Sequence, residues 1–126
     1  MNYERLLSKL LAQPLLRFKN MKPSDLPEQA GVYLITVRKK PYYIGRTKNL
    51  QRRLYNNHLM GPLVNARLQK YLIDSRECAD RQAAKQFLRA HASVRWLEES
   101  GMRQRYFLEC YFTAMLEPKY GISEEH

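Results

Sequence analysis

The sequence has few cysteines and histidines, and it has no long apolar run. Its two cysteines, Cys78 and Cys110, lie far apart, which excludes a disulfide framework and the paired spacing of a zinc site. The three histidines form no cluster along the chain. We therefore expect any bound metal to be a hard ion with oxygen ligands, such as Mg²⁺. Without about 18 consecutive apolar residues, the sequence predicts no membrane span.

Acidic residues are also scarce. Twelve Asp and Glu stand against 22 Lys and Arg, so the net charge is +10 and the isoelectric point is about 9.8. Such an excess on a small surface attracts polyanions, and nucleic acid is the first partner to expect. An anionic membrane surface is the rival partner. Because Glu4 and Arg5 interrupt the leucines of the N-terminal segment, it lacks the apolar region of a secretory signal, and we expect a soluble cytoplasmic protein.

The pattern of apolar residues over the 126 residues predicts one α+β unit. We expect residues 1–28 to form a helix and loop that pack on a main domain of residues 29–126. Within that domain, strand patterns cover 31–38, 41–45 and 92–97, with helices between and after them. The predicted fold is a small three-stranded, largely antiparallel sheet flanked by helices, with both faces of the first strand covered.

Tyr33 and Tyr43 lie on the two strands of a predicted hairpin. In an antiparallel pair, the loop length decides whether their side chains share a face. An odd loop such as 38–40 would put them on one face, and a two-residue loop would put them on opposite faces. Taken alone, the two tyrosines are explained better by packing than by a chemical role, because aromatic residues favour strands.

Arg53 lies in the next predicted helix, beside the apolar stripe of Leu50 and Leu54. Its guanidinium therefore leaves the helix close to the core, at the end of the sheet. There it would offer a planar pair of donors to phosphate oxygens. The alternative is that Arg52 and Arg53 are a solvated pair that supports solubility.

Glu109 lies in a late helix that is apolar over most of its circumference, so we expect that helix to be largely buried. A lone carboxylate there needs a positive partner. The partner is either a cation in a cleft or Arg105, four residues earlier. We favour the cation, because an exposed local ion pair contributes only about 0.3 to 0.5 kcal/mol.

These features occur in a fixed order along the chain. Gly31-Val32-Tyr33 is followed by Tyr43-Ile44-Gly45, then by Thr47-Lys48-Asn49-Leu50 and Arg53, and much later by Leu108-Glu109. Either tripeptide alone is a weak signal. The ordered set, over residues 29–121, resembles the GIY-YIG nuclease superfamily.

The resemblance implies a metal-dependent endonuclease that hydrolyses phosphodiesters, usually in DNA, and leaves a 5′-phosphate and a 3′-hydroxyl. It implies that Tyr33 helps to deprotonate the attacking water and that Tyr43 positions phosphate or water beside it. Arg53 would stabilise charge on the phosphorus and, with the metal, lower the pKa of the phenol. Glu109 would hold a single Mg²⁺ or Mn²⁺. Lys48 and His58 are the candidates for accessory roles.

Two positions depart from the superfamily pattern. Members often carry a His four residues after the arginine, where this sequence has Asn57, and His58 comes one residue later. Because His58 extends the stripe of Leu50 and Leu54, a place at the edge of the core explains it better than catalysis. The superfamily commonly has Pro-x-Tyr-Asn near the end of the domain. This chain has glycine at residue 121, so one amide contact is missing.

Basic residues near the end of the hairpin predict a nucleic-acid surface. The candidates for phosphate contacts are Arg46, Lys48 and Arg52, together with the helical stripe Arg81, Lys85 and Arg89. That stripe fits an ordinary polar helix face equally well. RNA stays open as a substrate, and the sequence does not predict the oligomeric state. The alternative to an enzyme is a nucleic-acid-binding adaptor that keeps the fold without catalysis.

Overall fold

The computed structural model describes the backbone of residues 1–60 and 66–122 and the side chains of residues 1–56 and 66–122. One antiparallel sheet contains four strands in the order β1-β4-β2-β3. The strands are β1 (Leu16–Arg17), β2 (Gly31–Val37), β3 (Lys40–Thr47) and β4 (Ala92–Glu98). The helices are α1 (Tyr3–Leu11), a π-helix (Arg52–Met60), α2 (Arg67–Asp74), α3 (Arg81–His91) and α4 (Met102–Leu116), with 3₁₀ turns at Phe18–Asn20 and Pro23–Asp25. None of the helices in these described ranges has the length and hydropathy needed to cross a membrane.

The predicted α+β class and antiparallel sheet are confirmed, but the prediction of three strands is wrong. The fourth strand is β1, in which Leu16 and Arg17 pair with Val94 and Ser93 of β4. Two residues are too short a run to show the alternation by which a strand is recognised in sequence. Through β1, the N-terminal segment extends the sheet beyond β4.

Helices cover both faces of the sheet. Every residue of β2 is buried, as the apolar residues at both its odd and its even positions predicted. On one face, Tyr33 and Tyr43 belong to a core that includes residues of the π-helix region, α2 and α3. On the other face, Val32 and Ile44 belong to a core that includes residues of α1 and α4. The edge strand β3 therefore lies between two groups of helices.

The hairpin brings Tyr33 and Tyr43 to one face by a route that the sequence did not indicate. Its loop has two residues, Arg38 and Lys39, both with positive φ, and by parity alone it would separate the tyrosines. A β-bulge reverses that result. Ile35 pairs with Tyr43 and Thr36 pairs with Pro41, so the intervening residue of β3 is extra. The expectation that a two-residue loop would put the two tyrosines on opposite faces is therefore wrong.

Tyr33 packs its ring directly onto Gly45, its partner across the β2–β3 ladder. A Cβ at residue 45 would lie 2.9 Å from Cε1 of that ring and closer still to Cζ and the hydroxyl oxygen. Tyr33 is only 1% exposed, so its ring has no room to withdraw. The glycine is required because its missing side chain leaves the space that the phenol occupies.

Asn49 caps the helical segment after β3. Its Oδ1 accepts a hydrogen bond from the backbone N–H of Arg52 at 2.9 Å, and Oγ1 of Thr47 accepts one from the N–H of Asn49 at 3.1 Å. The helix that follows is π-helical rather than α-helical. Leu50 and Leu54 are nevertheless fully buried, as their spacing predicted.

The prediction that the last helix is largely buried is wrong. Its buried residues are Arg105, Leu108 and Phe112, and its outward face exposes large apolar side chains. The apolar residues of α4 surround the helix, but only one stripe of it faces the sheet and α1. Apolar composition alone therefore overstated the burial.

Glu77, between α2 and α3, fastens the C-terminal segment to β3. Its carboxylate accepts hydrogen bonds from the hydroxyls of Tyr42 and Tyr120, both at 2.6 Å, and from Nζ of Lys119 at 2.8 Å. The backbone N–H groups of Lys119 and Tyr120 donate to the carbonyls of Pro41 and Tyr42 in β3. Burial alone raises the pKa of Glu77, but the three hydrogen bonds outweigh it and hold the pKa below its ordinary value.

We expect Gly45→Ala to lower the free energy of unfolding by about 1–3 kcal/mol, because the new methyl group collides with the buried ring of Tyr33. Denaturant unfolding measures this change. In a Tyr33→Leu background, the ring atoms that collide with the new methyl group are absent. There the same substitution should lower the free energy of unfolding much less. An equal cost in both backgrounds would show that the two side-chain positions do not compete for space.

We expect Glu77→Gln to lower the free energy of unfolding by about 1–2 kcal/mol at pH 7. Because the folded state lowers the pKa of Glu77, its contribution is present above the ordinary pKa of 4.5 and is lost as the pH falls below that value. Thermal unfolding at several pH values should show the gap between wild type and variant closing in acid. The matched control is Glu98→Gln, on an exposed residue, which should show almost no gap; a pH-independent gap for Glu77→Gln would contradict the assignment.

Candidate active site

A pocket of about 250 Å³ contains all four residues that the sequence indicated as catalytic. Tyr33, Tyr43, Arg53 and Glu109 line it, together with Gly45, Arg46 and Arg67. These residues come from β2, β3, the π-helix, α2 and α4, which are far apart in the chain. The fold therefore brings the predicted set together at one place.

The pocket spans the edge strand β3. Tyr33 and Tyr43 belong to the core on one face of the sheet, whereas α4, which carries Glu109, packs on the other face. Because β3 is the last strand of the sheet, a side chain from α4 can meet the tyrosines around its edge. Gly45 lies on this edge strand, and its missing side chain leaves the space in which the phenol of Tyr33 reaches the pocket.

The two tyrosines are buried and lie side by side, with ring centroids 6.2 Å apart. Burial is the main cause that raises the pKa of Tyr33 well above 10.0, and Arg53 opposes it only in part. Burial likewise raises the pKa of Tyr43, against the opposing charge of Arg67. Both phenols are therefore protonated at neutral pH. Arg53 lowers the pKa of Tyr33, in the direction that the sequence predicts, but by less than burial raises it.

Glu109 contacts Arg46 and not Arg105. Its Oε2 lies 3.3 Å from a terminal nitrogen of Arg46, whose side chain is 43% exposed. Arg105 is instead buried and donates to the backbone carbonyls of Glu99 and Ser100 at 3.0 and 2.8 Å, which fixes the turn before α4. Burial raises the pKa of Glu109, and the charge of Arg46 lowers it only in part. The carboxylate is thus a group that further positive charge would stabilise.

The donor set of the pocket suits a hard divalent cation. Among the described residues, no group of three or more His, Cys, Asp or Glu side chains could hold a metal, so a closed zinc-type cage is absent there. Mg²⁺ needs less from the protein, because it keeps several waters and binds through one or two carboxylates plus phosphate oxygens. Glu109, with one long contact to an exposed arginine, fits that requirement.

A second, larger pocket of about 490 Å³ adjoins the first, and Arg46 and Arg53 line both. Lys48 and Arg52, two of the predicted phosphate ligands, line this second pocket and not the first. Its remaining lining residues are Thr47, Asn49, Met102 and Arg105. Among the described residues, no carboxylate lines it, so the pocket suits an anion.

Other predicted residues lie elsewhere. The stripe of Arg81, Lys85 and Arg89 lies on α3, and these residues line neither of the two pockets in the described part of the chain. The backbone of His58 lies in the π-helix, but its side chain falls outside the described residues. The structure therefore does not associate the stripe on α3 with either pocket.

Arg67 is a site residue that the sequence did not reveal. It begins α2, lines the pocket, and its charge acts on Tyr33, Tyr43 and Glu109 together. Its neighbours in sequence carry no motif. Its place in the pocket becomes visible only in the folded structure, where the start of α2 lies beside the sheet.

Gly121 explains the departure from the superfamily pattern at the end of the domain. Its φ of +90° is favourable only for glycine, and a Cβ there would lie 2.9 Å from Cε1 of Tyr43. The segment fastened by Glu77 thus lays Gly121 against the ring of Tyr43. A larger residue at this position would need a different path of the backbone.

Comparison with known proteins identifies the family of this chain. The family model described as the GIY-YIG catalytic domain matches residues 29–103, more than half of the chain. Tyr33, Tyr43 and Arg53 lie inside the matched span, and Glu109 lies just beyond it. Among curated proteins, none matches this chain.

Solved structures of one bacterial domain are similar to this chain. A point mutant of the GIY-YIG N-terminal endonuclease domain of UvrC from Thermotoga maritima, bound to its catalytic divalent cation, is 19% identical with a TM-score of 0.47; the match covers 95% of this chain and 98% of that one. The same domain bound to magnesium is 20% identical with a TM-score of 0.46, covering 94% and 98%. On the family match, the chain belongs to the GIY-YIG family and carries its catalytic endonuclease domain.

Proposed function

We propose that this protein hydrolyses phosphodiester bonds of DNA within the strand, uses Mg²⁺ or Mn²⁺, and leaves a 5′-phosphate and a 3′-hydroxyl. The observation that supports this most is the meeting of two phenols, three guanidinium groups and one carboxylate in a single pocket. Such a pocket is positive overall, so it attracts a phosphate. Glu109, the one acid among the described residues that line it, provides a place for a cation.

The arginines bind and orient the phosphate. Arg53 and Arg67 both act electrostatically on the two tyrosines, so their charge is directed into the pocket. A guanidinium pair there neutralises the negative charge that increases on the phosphate oxygens as water adds to phosphorus. We assign the neutralisation of this charge first to Arg53.

The tyrosines position the attacking water. Buried and protonated, the hydroxyl of Tyr33 donates a hydrogen bond or accepts one from water, and its closed surroundings keep it in one orientation. Tyr43, beside it, orients a phosphate oxygen or the same water. As the bond from the water oxygen to phosphorus forms, the water loses one proton to solvent and the bond from phosphorus to the 3′ oxygen breaks. The 3′ oxygen takes up a proton from solvent, which leaves a 3′-hydroxyl and a 5′-phosphate.

Glu109 would hold the divalent cation. When bound, the cation supplies positive charge that stabilises the phosphate oxygens and the leaving oxygen. With a cation at Glu109, the 3.3 Å contact of Arg46 with that carboxylate would be broken, and Arg46 would become available to a second phosphate. The exposure of the Arg46 side chain permits this change of partner.

We expect Glu109→Gln and Tyr33→Phe to lower the rate of cleavage by about a hundredfold or more, because each removes a group that acts on the reacting phosphate. The assay is the conversion of labelled plasmid and branched DNA in Mg²⁺ or Mn²⁺, with EDTA as the metal-free arm. End labelling of the products tests for the 5′-phosphate and the 3′-hydroxyl.

The matched control is Glu98→Gln, which removes a carboxylate outside the catalytic pocket and should leave the rate unchanged. An RNA of the same sequence tests the choice of sugar. If wild type and variants all bind DNA and none cleaves any form of DNA or RNA, the chain is a binding adaptor and the proposal is wrong.

A further inference from the structure

Two aromatic side chains on the outward face of α4 remain exposed. Tyr106 is 49% exposed and Phe107 is 37% exposed, and their ring centroids are 5.6 Å apart in an edge-to-face arrangement. Met102, one turn before Tyr106, is 71% exposed. Aromatic side chains left in solvent in this way mark a surface that binds something apolar or planar.

The charges around these rings indicate what binds there. The guanidinium of Arg46 lies 5.0 Å from the ring centroid of Tyr106, and that of Arg103 lies 5.3 Å from that of Phe107. Arg46, Lys48 and Arg52 line the basic second pocket, and Met102 lines it as well. A planar apolar surface beside a channel that attracts phosphates suits a nucleic-acid strand with unstacked bases.

The aromatic surface lies close to the catalytic pocket. Arg46 contacts both Glu109 and the face of Tyr106, and Tyr106 precedes Glu109 by three residues on the same side of α4. A strand whose phosphate is at Glu109 and whose next phosphate lies in the second pocket would therefore carry a base past Tyr106. In an intact duplex, that base is paired and stacked inside the helix.

We propose that Tyr106 and Phe107 form a platform on which unpaired bases of the substrate strand stack, so that the preferred substrate is DNA with unpaired nucleotides next to the cut. This inference rests on the function proposed above and names its substrate class. A second copy of the chain fits this face less well than a nucleic-acid strand does, because it would bring another +10 charge against a face already lined by arginines.

The test compares a short oligothymidylate with an abasic strand of the same length, which has the same phosphates and no bases. Fluorescence anisotropy in EDTA measures binding without cleavage. We expect wild type to bind the base-bearing strand about tenfold more tightly. Tyr106→Ala should remove most of that preference and leave affinity for the abasic strand unchanged, whereas Tyr106→Phe should keep it.

The matched control is Met115→Ala, which removes an exposed apolar side chain at the far end of the same helix and should change neither affinity. Equal losses on both strands in Tyr106→Ala would assign the residue to holding Arg46 and overturn the platform. No loss on either strand would also overturn it. A change of oligomeric state in light scattering would assign the face to a second copy instead.

A cleavage assay separates this inference from the proposed function. Wild type should cut a strand within a bubble or flap faster than the same strand in a full duplex, and Tyr106→Ala should reduce that ratio. If the protein prefers base-bearing strands in binding but cleaves nothing, the platform is supported and the proposed nuclease activity is contradicted. If it cleaves all forms at the same rate, the nuclease activity is supported and the platform is contradicted.

Discussion

The close packing of Tyr33 on Gly45 is the contact on which the site depends. The phenol can occupy the pocket only because the opposite strand carries no side chain at that position, and it lies beside Tyr43 only because a bulge shifts the register of β3. Both features lie within one hairpin. The remaining site residues are added around this pair from the π-helix, α2 and α4.

The charges of the pocket follow a simple arrangement. One partly buried carboxylate faces several guanidinium groups, and its pKa is raised by burial more than Arg46 lowers it. The positive charge near the carboxylate is too small to offset its burial, whereas the rest of the pocket carries an excess of positive charge. The pocket is therefore complementary to a cation and a phosphate that arrive together, which is the need of a phosphodiesterase.

Much of this could be predicted from the sequence. The strand patterns, with apolar residues on both faces of the first strand, indicated the fold class, and the ordered motifs indicated the four pocket residues. The two-residue turn could not be predicted, because Arg38 and Lys39 show none of the Gly or Asn signals of such a turn. The bulge that offsets this turn could not be predicted either. Arg46 as the partner of Glu109, the role of Arg67 and the fastening by Glu77 depend on long-range packing, which local patterns do not encode.

Glu109 lines one pocket with the two buried phenols, and we propose that it holds a divalent cation there. A crystal soaked in Mn²⁺ tests this most directly through the anomalous signal of the metal. We expect an anomalous peak at the carboxylate of Glu109, within the pocket lined by Tyr33 and Tyr43, with Arg46 displaced. A Glu109 still paired with Arg46 in saturating Mn²⁺, with no peak in the pocket, would contradict it.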